Sequence, residues 1–182
     1  MRGHSRAEVS GMAGCLGMNA YLTKKRAFVM SKEAQTIVTL LDQQYEQLLT
    51  DARCLVASYV DTSMKLYKKT GVKSVVAGVS IKQVSPNAYS IYWCKLVPLQ
   101  GQKNKFAPLT IAKGNGKHKY PASSFEFVEY PYRHLVLQVE GRLAEIRRVA
   151  SENRQLRRTL VAYEKKLSRY QALNHGDLYS AG

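Results

Sequence analysis

At 182 residues and 45% hydrophobic side chains, the chain is long enough for one ordinary domain with a real core, which excludes a wholly disordered polypeptide. Its 28 basic against 13 acidic residues give a net charge of +15, so its partners should be anionic: nucleic acid, an acidic protein or anionic lipid. No stretch approaches the roughly 18 uninterrupted apolar residues of a membrane span, so a soluble, cytoplasmic protein is expected, with no membrane partner.

Residues 1–29 read as a disordered extension, or as sequence upstream of a start at Met30. Met12-Ala13-Gly14-Cys15 has the look of a lipoprotein cleavage box, but the apolar region before it is short and Glu8 interrupts it. Ser31 then offers an N-cap ahead of a long apolar period that includes Ile37, Leu41, Leu48, Leu55, Tyr59 and Tyr67. Neither Gly nor Pro occurs from Ser31 to Thr70, and Gly71 supplies a stop. One long amphipathic helix, or two consecutive ones, is predicted.

Beyond Gly71 the period becomes two. Val75, Ala77, Val79 and Ile81 share one face of a strand, opposite Ser74, Ser80 and Lys82. Ser85-Pro86-Asn87 is a turn signal. A second strand from Tyr89 to Val97 sets Tyr89, Ile91, Trp93 and Lys95 on one side and Tyr92, Cys94 and Leu96 on the other. Pro98 to Asn104 reads as a hairpin loop around Gly101. A third strand follows at Lys105 to Ala112, at an edge because Pro108 lacks an amide proton.

From Tyr132 to Leu173 the helical period returns. Ile146, Asn153, Leu160 and Leu167 lie seven apart, with Val149, Leu156, Tyr163 and Tyr170 three residues after each: an a/d heptad pattern with Asn at one a position. Two readings stay open: a parallel homodimeric coiled coil, with Ile146, Asn153, Leu156, Leu160 and Leu167 as the dimerisation seam, or a helix packed on the first helix of its own chain. The expected organisation is α+β: a long N-terminal helix, a three-stranded antiparallel meander and a long C-terminal helix with coiled-coil character. The segments are 1–29 as extension, 30–128 as helix plus basic meander, 129–173 as C-terminal helix and 174–182 as tail.

Charge is concentrated in the middle. Residues 62–125 hold eleven lysines and neither Asp nor Glu, a one-signed stretch that a phosphate backbone would select. The candidate nucleic-acid contacts are Tyr92, Trp93, Lys95, Lys103 and Lys105 on the hairpin, and Lys113, Lys117, His118 and Lys119 in the next loop. For Trp93 a place in the core is the stronger expectation. The 113–119 loop, Lys-Gly-Asn-Gly-Lys-His-Lys, has glycines that would let a ligand approach the backbone. It is not a P-loop, since Ile111 stands at the first glycine position and His118 replaces Ser or Thr. The basic residues of the last helix, among them Arg147, Arg154 and Arg157, read as a solvated flank. Cys15, Cys54 and Cys94 form no CxxC pair and read as reduced thiols. His4, His118, His134 and His175 have no ligand spacing, and the basic region offers no carboxylates to a two-metal nuclease. Neither a cofactor, a metal nor an enzyme is expected.

Tyr89-Ser90-Ile91-Tyr92-Trp93, the lysine-rich hairpin after it, Gly116-Lys117-His118-Lys119-Tyr120-Pro121 and Glu145-Ile146-Arg147-Arg148 together resemble the middle of MobI-type conjugative transfer proteins. The resemblance runs from about Tyr89 to Arg148. It implies an auxiliary factor that acts with a relaxase at an origin of transfer, so DNA, duplex rather than single-stranded, is the expected partner. The lysine excess alone fits an RNA-binding or ribosome-associated protein equally, and the helices fit a scaffold for another transfer protein.

Overall fold

Ser31 caps the first helix as its sequence suggests: its Oγ accepts the Ala34 N–H at 3.2 Å, satisfying one of the orphan donors of a helix start. With no breaker behind it, a single helix α1 runs Lys32–Thr70. Its buried residues, Ala34, Val38, Tyr45, Leu49, Ala52, Tyr59 and Ser63, recur at helical spacing and mark one face. The computed structural model describes residues 28–70, 76–85, 88–101 and 105–176. The expected extension up to Ala27, the stop at Gly71, Ser74 and Val75, the turn residues Pro86 and Asn87, Lys103, and positions 177–182 lie outside the described residues.

Three antiparallel strands follow in the order β1 (Ala77–Ser85), β2 (Ala88–Pro98) and β3 (Phe106–Thr110). β1 and β2 pair with Val79 opposite Trp93 and Ile81 opposite Ile91, so the predicted apolar faces coincide. Gly78 faces Cys94, and a Cβ on it would stand 3.2 Å from the Cys94 Sγ. β3 pairs only with β2, with Pro108 opposite Leu96, which is the edge position a residue without an N–H requires.

A short 3-10 helix (Ala122–Phe125) leads to α2 (Tyr132–Gly176). α2 returns antiparallel along α1: Tyr132 Oη donates to the Ser63 carbonyl, Asn153 Nδ2 to the Leu41 carbonyl at 3.0 Å, and the Ser31 N–H to Glu164 Oε2 at 3.0 Å. Arg157 Nε meets Asp42 Oδ1 at 2.7 Å. The helical hairpin packs on one face of the sheet. Their shared core joins Ala52 and Tyr59 of α1, Ile91 and Trp93 of β2, Phe125, and Val136, Val139 and Leu143 of α2. Trp93 sits at its centre, edge-on to Tyr59 at 5.3 Å and to Phe125 at 5.2 Å.

The α+β architecture is therefore the one expected, and the helix packing that the structure shows is intramolecular. Asn153, the residue expected to set register with a second chain, spends its side chain on Leu41 of its own. Ile146, Leu160 and Leu167 are half-buried, but Leu156 is 60% exposed, as are Tyr163 and Tyr170 to a similar degree. The stripe facing α1 is narrower than a full set of a and d positions and leaves Leu156, Tyr163 and Tyr170 in solvent. No helix among the described residues is long and apolar enough to cross a membrane.

Candidate nucleic-acid interface

The loop after β3 owes its shape to two glycines and one buried acid. Gly114 has φ +63°, a region that L side chains rarely adopt. A Cβ on Gly116 would fall 2.1 Å from the Lys119 carbonyl oxygen. The close approach that needs glycine is thus to the chain's own backbone, where the sequence had suggested a ligand. Lys113 Nζ closes the loop by donating to the Lys117 carbonyl at 3.1 Å.

Glu140, fully buried on α2, anchors the loop's far end. Its Oε1 accepts the Tyr120 N–H at 2.8 Å and its Oε2 accepts the Trp93 Nε1–H at 2.7 Å. Arg147, two turns along α2, pairs with Glu140 and donates Nε to the His118 carbonyl at 2.6 Å. Arg147 also lies over the Tyr120 ring, 5.3 Å from its centroid. The expectation that the arginines of this helix form a solvated flank fails here. Arg147 is buried because Glu140 is buried beside it, and a buried carboxylate needs a partner. Arg154 and Arg157 are half-buried, while Arg148 fits the expectation, exposed between Glu145 and Glu152.

Above this anchor a cleft of about 290 Å³ opens between α1, the start of β2, the loop and α2. Lys113, Lys117, His118 and Arg154 are among the residues that line it. Leu48, Leu49, Ile91 and Ile146 line it too, with the rings of Tyr45 and Tyr89 stacked at 6.1 Å. Tyr45 Oη accepts the Tyr89 backbone N–H at 3.0 Å, which ties the Tyr45 side chain to the start of β2. No carboxylate lines the cleft among the described residues. Burial first, then the charges of Lys117, Lys113 and Arg147, hold the His118 imidazole below its ordinary pKa, and Glu152 opposes them only in part. Burial and Arg147 likewise lower the Lys113 ammonium. The cations are thus crowded, with Glu140 and Glu152 opposing them only in part, a condition that favours an anion.

The remaining sequence candidates lie elsewhere. Trp93 has no exposed surface, so its ring is unavailable to a base; a residue that must fill the space between two helices and a sheet cannot also stack on a ligand. Tyr92 is half-buried on the sheet's other face, opposite Ser80. Lys95 is exposed with its ammonium 4.9 Å from the Phe127 ring centroid. Lys105 is exposed ahead of β3, and Lys119 is exposed beside the cleft loop. Of the cleft residues, Tyr45 and Ser151 carry no sequence signal of their own; the fold gathers α1, the start of β2 and α2 around the loop. Among the described residues, no cluster of His, Cys, Asp and Glu is placed to hold a metal, and Cys54 and Cys94 are free thiols.

Comparison with known proteins adds the setting. No curated protein and no solved structure matches the chain. The model of the MobI family, described as MobI protein, matches residues 48–161. That span begins in the middle of α1, contains the whole sheet and the cleft loop, and ends within α2, so it covers the cleft lining except Tyr45. It is more than half of the sequence, and the chain belongs to the MobI family of conjugative mobilisation accessory proteins.

Proposed function

We propose that this protein is a non-catalytic DNA-binding factor of the cytoplasm that acts with a relaxase at an origin of transfer. The observation that carries the reading is the cluster of Lys113, Lys117, His118 and Arg154 around one cleft with no carboxylate in its lining. Family membership supports the conjugative setting. In this mechanism the loop cations hold backbone phosphates and release their condensed counterions. Exposed Lys95, Lys105 and Lys119 extend the contact, and the shape of the duplex or its base edges supply any selectivity. The Glu140–Arg147 anchor does no chemistry; it keeps the loop's backbone in place so that its lysines point from a fixed base.

The test is equilibrium binding to a labelled origin-of-transfer duplex and to a scrambled duplex of equal length, across a salt series. Affinity that falls with salt while the origin fragment keeps its advantage supports the reading. Equal and salt-fragile affinity for both sinks the origin-specific part, and preference for structured RNA in competition transfers the site to RNA.

A further inference from the structure

We propose that the cleft between Tyr45, the 113–119 loop and Arg154 is a receptor for one nucleoside monophosphate unit, drawn from DNA as a single unpaired nucleotide. This rests on the DNA-binding reading above and makes it local.

The size of the cleft is the first constraint. About 290 Å³ lies at the lower end of ligand pockets, ~300–1,000 Å³, so it admits one unit of a polymer and not a length of duplex. Its mixed lining of cations and apolar side chains is the second. A bare phosphate would satisfy Lys113, Lys117 and His118 but leave the surface of Leu48, Leu49 and Ile146 wet. A purely apolar ligand would cover that surface and leave the cations unpaired in a desolvated place. A nucleotide is anionic at one end and flat and largely apolar at the other, which uses both kinds of lining at once.

The third constraint is a donor without an acceptor. Arg154 Nε is buried and has no hydrogen-bond partner among the described residues. Its guanidinium is held 5.9 Å from the Tyr45 ring centroid, so it is placed by the ring and not by an anion of the protein. A buried N–H of a charged group left unpaired is costly, and a phosphate oxygen is the acceptor that a guanidinium matches best. Ser90 and Ser151 add hydroxyls to the same lining, able to meet sugar or base edges. Unstacking a nucleotide from a duplex costs a few kcal/mol, least where it is already unpaired, so the receptor should discriminate between paired and unpaired sites.

The experiment compares two labelled duplexes, identical except for one unpaired nucleotide, by fluorescence anisotropy at about 0.15 M salt. A separate titration uses deoxyadenosine monophosphate. The intact chain is expected to bind the duplex with the unpaired nucleotide about tenfold more tightly. Arg154→Gln removes the unpaired donor, and Ser151→Tyr fills the cleft from the helix side. In each, once circular dichroism has shown it folded, the ratio of the two affinities should fall to about one. Equal binding of the two duplexes by the intact chain, with no binding of the monophosphate, overturns the receptor and leaves DNA binding standing. Binding of the monophosphate without any preference between duplexes overturns the strand as source and assigns the cleft to a free nucleotide. Failure to bind any of the three overturns both this inference and the DNA-binding reading.

Discussion

The indole of Trp93 donates to Glu140 at 2.7 Å across 47 residues of sequence, tying the middle of the sheet to α2. The same carboxylate accepts the Tyr120 N–H and pairs with Arg147, which in turn holds the His118 carbonyl. One buried acid therefore joins the hydrophobic core to the base of the cationic loop. Glu140→Ala would leave two N–H donors and a guanidinium buried without their acceptor. Breaking a buried pair from one side costs about 3–5 kcal/mol, and urea denaturation should show a loss of that size. A loss below about 1 kcal/mol would mean that the network is ornamental, since that is the ordinary worth of a single hydrogen bond.

Tyr59 stacks edge-on against Trp93 from the α1 side and donates its hydroxyl to the Ala77 carbonyl at 2.8 Å. Burial pushes its phenol up to about 12 from an ordinary value of 10.0. The folded state thus favours the protonated phenol. Its contribution is fully present below the unfolded-state value and is lost as pH rises from about 10 to about 12. Tyr59→Phe should cost about 1–2 kcal/mol at neutral pH, by stranding the carbonyl. It should also flatten the alkaline fall in stability over that window. A variant whose stability falls as steeply as before between those pH values would remove Tyr59 as the cause.

Much of this frame is legible in the sequence because local rules decide it. The Ser31 cap, the unbroken run to Thr70, the period-two faces of β1 and β2 and the edge position of Pro108 each follow from a residue and its neighbours. The cleft does not. Lys113, Lys117 and His118 stand out as a loop signal, but Arg154 and Tyr45 are 109 positions apart and meet only because α2 folds back along α1. The same return explains the mistaken flank. A helix pattern shows which residues share a face, yet it cannot show that Glu140 and Arg147 are covered by a loop and a strand. The a positions were readable as a stripe, and the sequence alone left open whose helix they meet.

For that stripe, Asn153 provides the measurement. In a hairpin of helices within one chain, melting should not depend on protein concentration, and Asn153→Leu should change stability through the lost Leu41 contact by about 1 kcal/mol. In a two-stranded coil an a-position Asn governs oligomer state, and the melting temperature of such a dimer climbs with concentration. A concentration-dependent melt, abolished or altered in order by Asn153→Leu, would move the helix packing to a dimer.

The loop lysines should appear in the salt dependence. Each phosphate neutralised contributes about 0.9 to the slope of log affinity against log salt. Replacing Lys113, Lys117 and Lys119 with Gln should flatten that slope by up to about 2.7, with affinity falling most at low salt. A folded triple variant with unchanged affinity and slope would remove the loop from the interface.

The pH dependence of binding takes its sign from the cleft. His118 is held below the ordinary value of 6.5 by burial and by Lys117, Lys113 and Arg147, against a smaller opposing pull from Glu152. It is therefore mostly neutral at neutral pH in the free protein. A phosphodiester does not titrate in this range, and its negative charge beside the imidazole favours the protonated form. The bound-state pKa accordingly lies above the free-state one, and binding takes up a proton. Affinity should be level above the bound-state value, rise as pH falls through it, and level off again below the free-state value. For a one-unit difference between the two states the rise amounts to about tenfold. His118→Gln should keep the affinity of the high-pH plateau and lose the rise. If the variant retains the rise, the proton belongs to another group, and His118 serves the loop through its carbonyl to Arg147 alone.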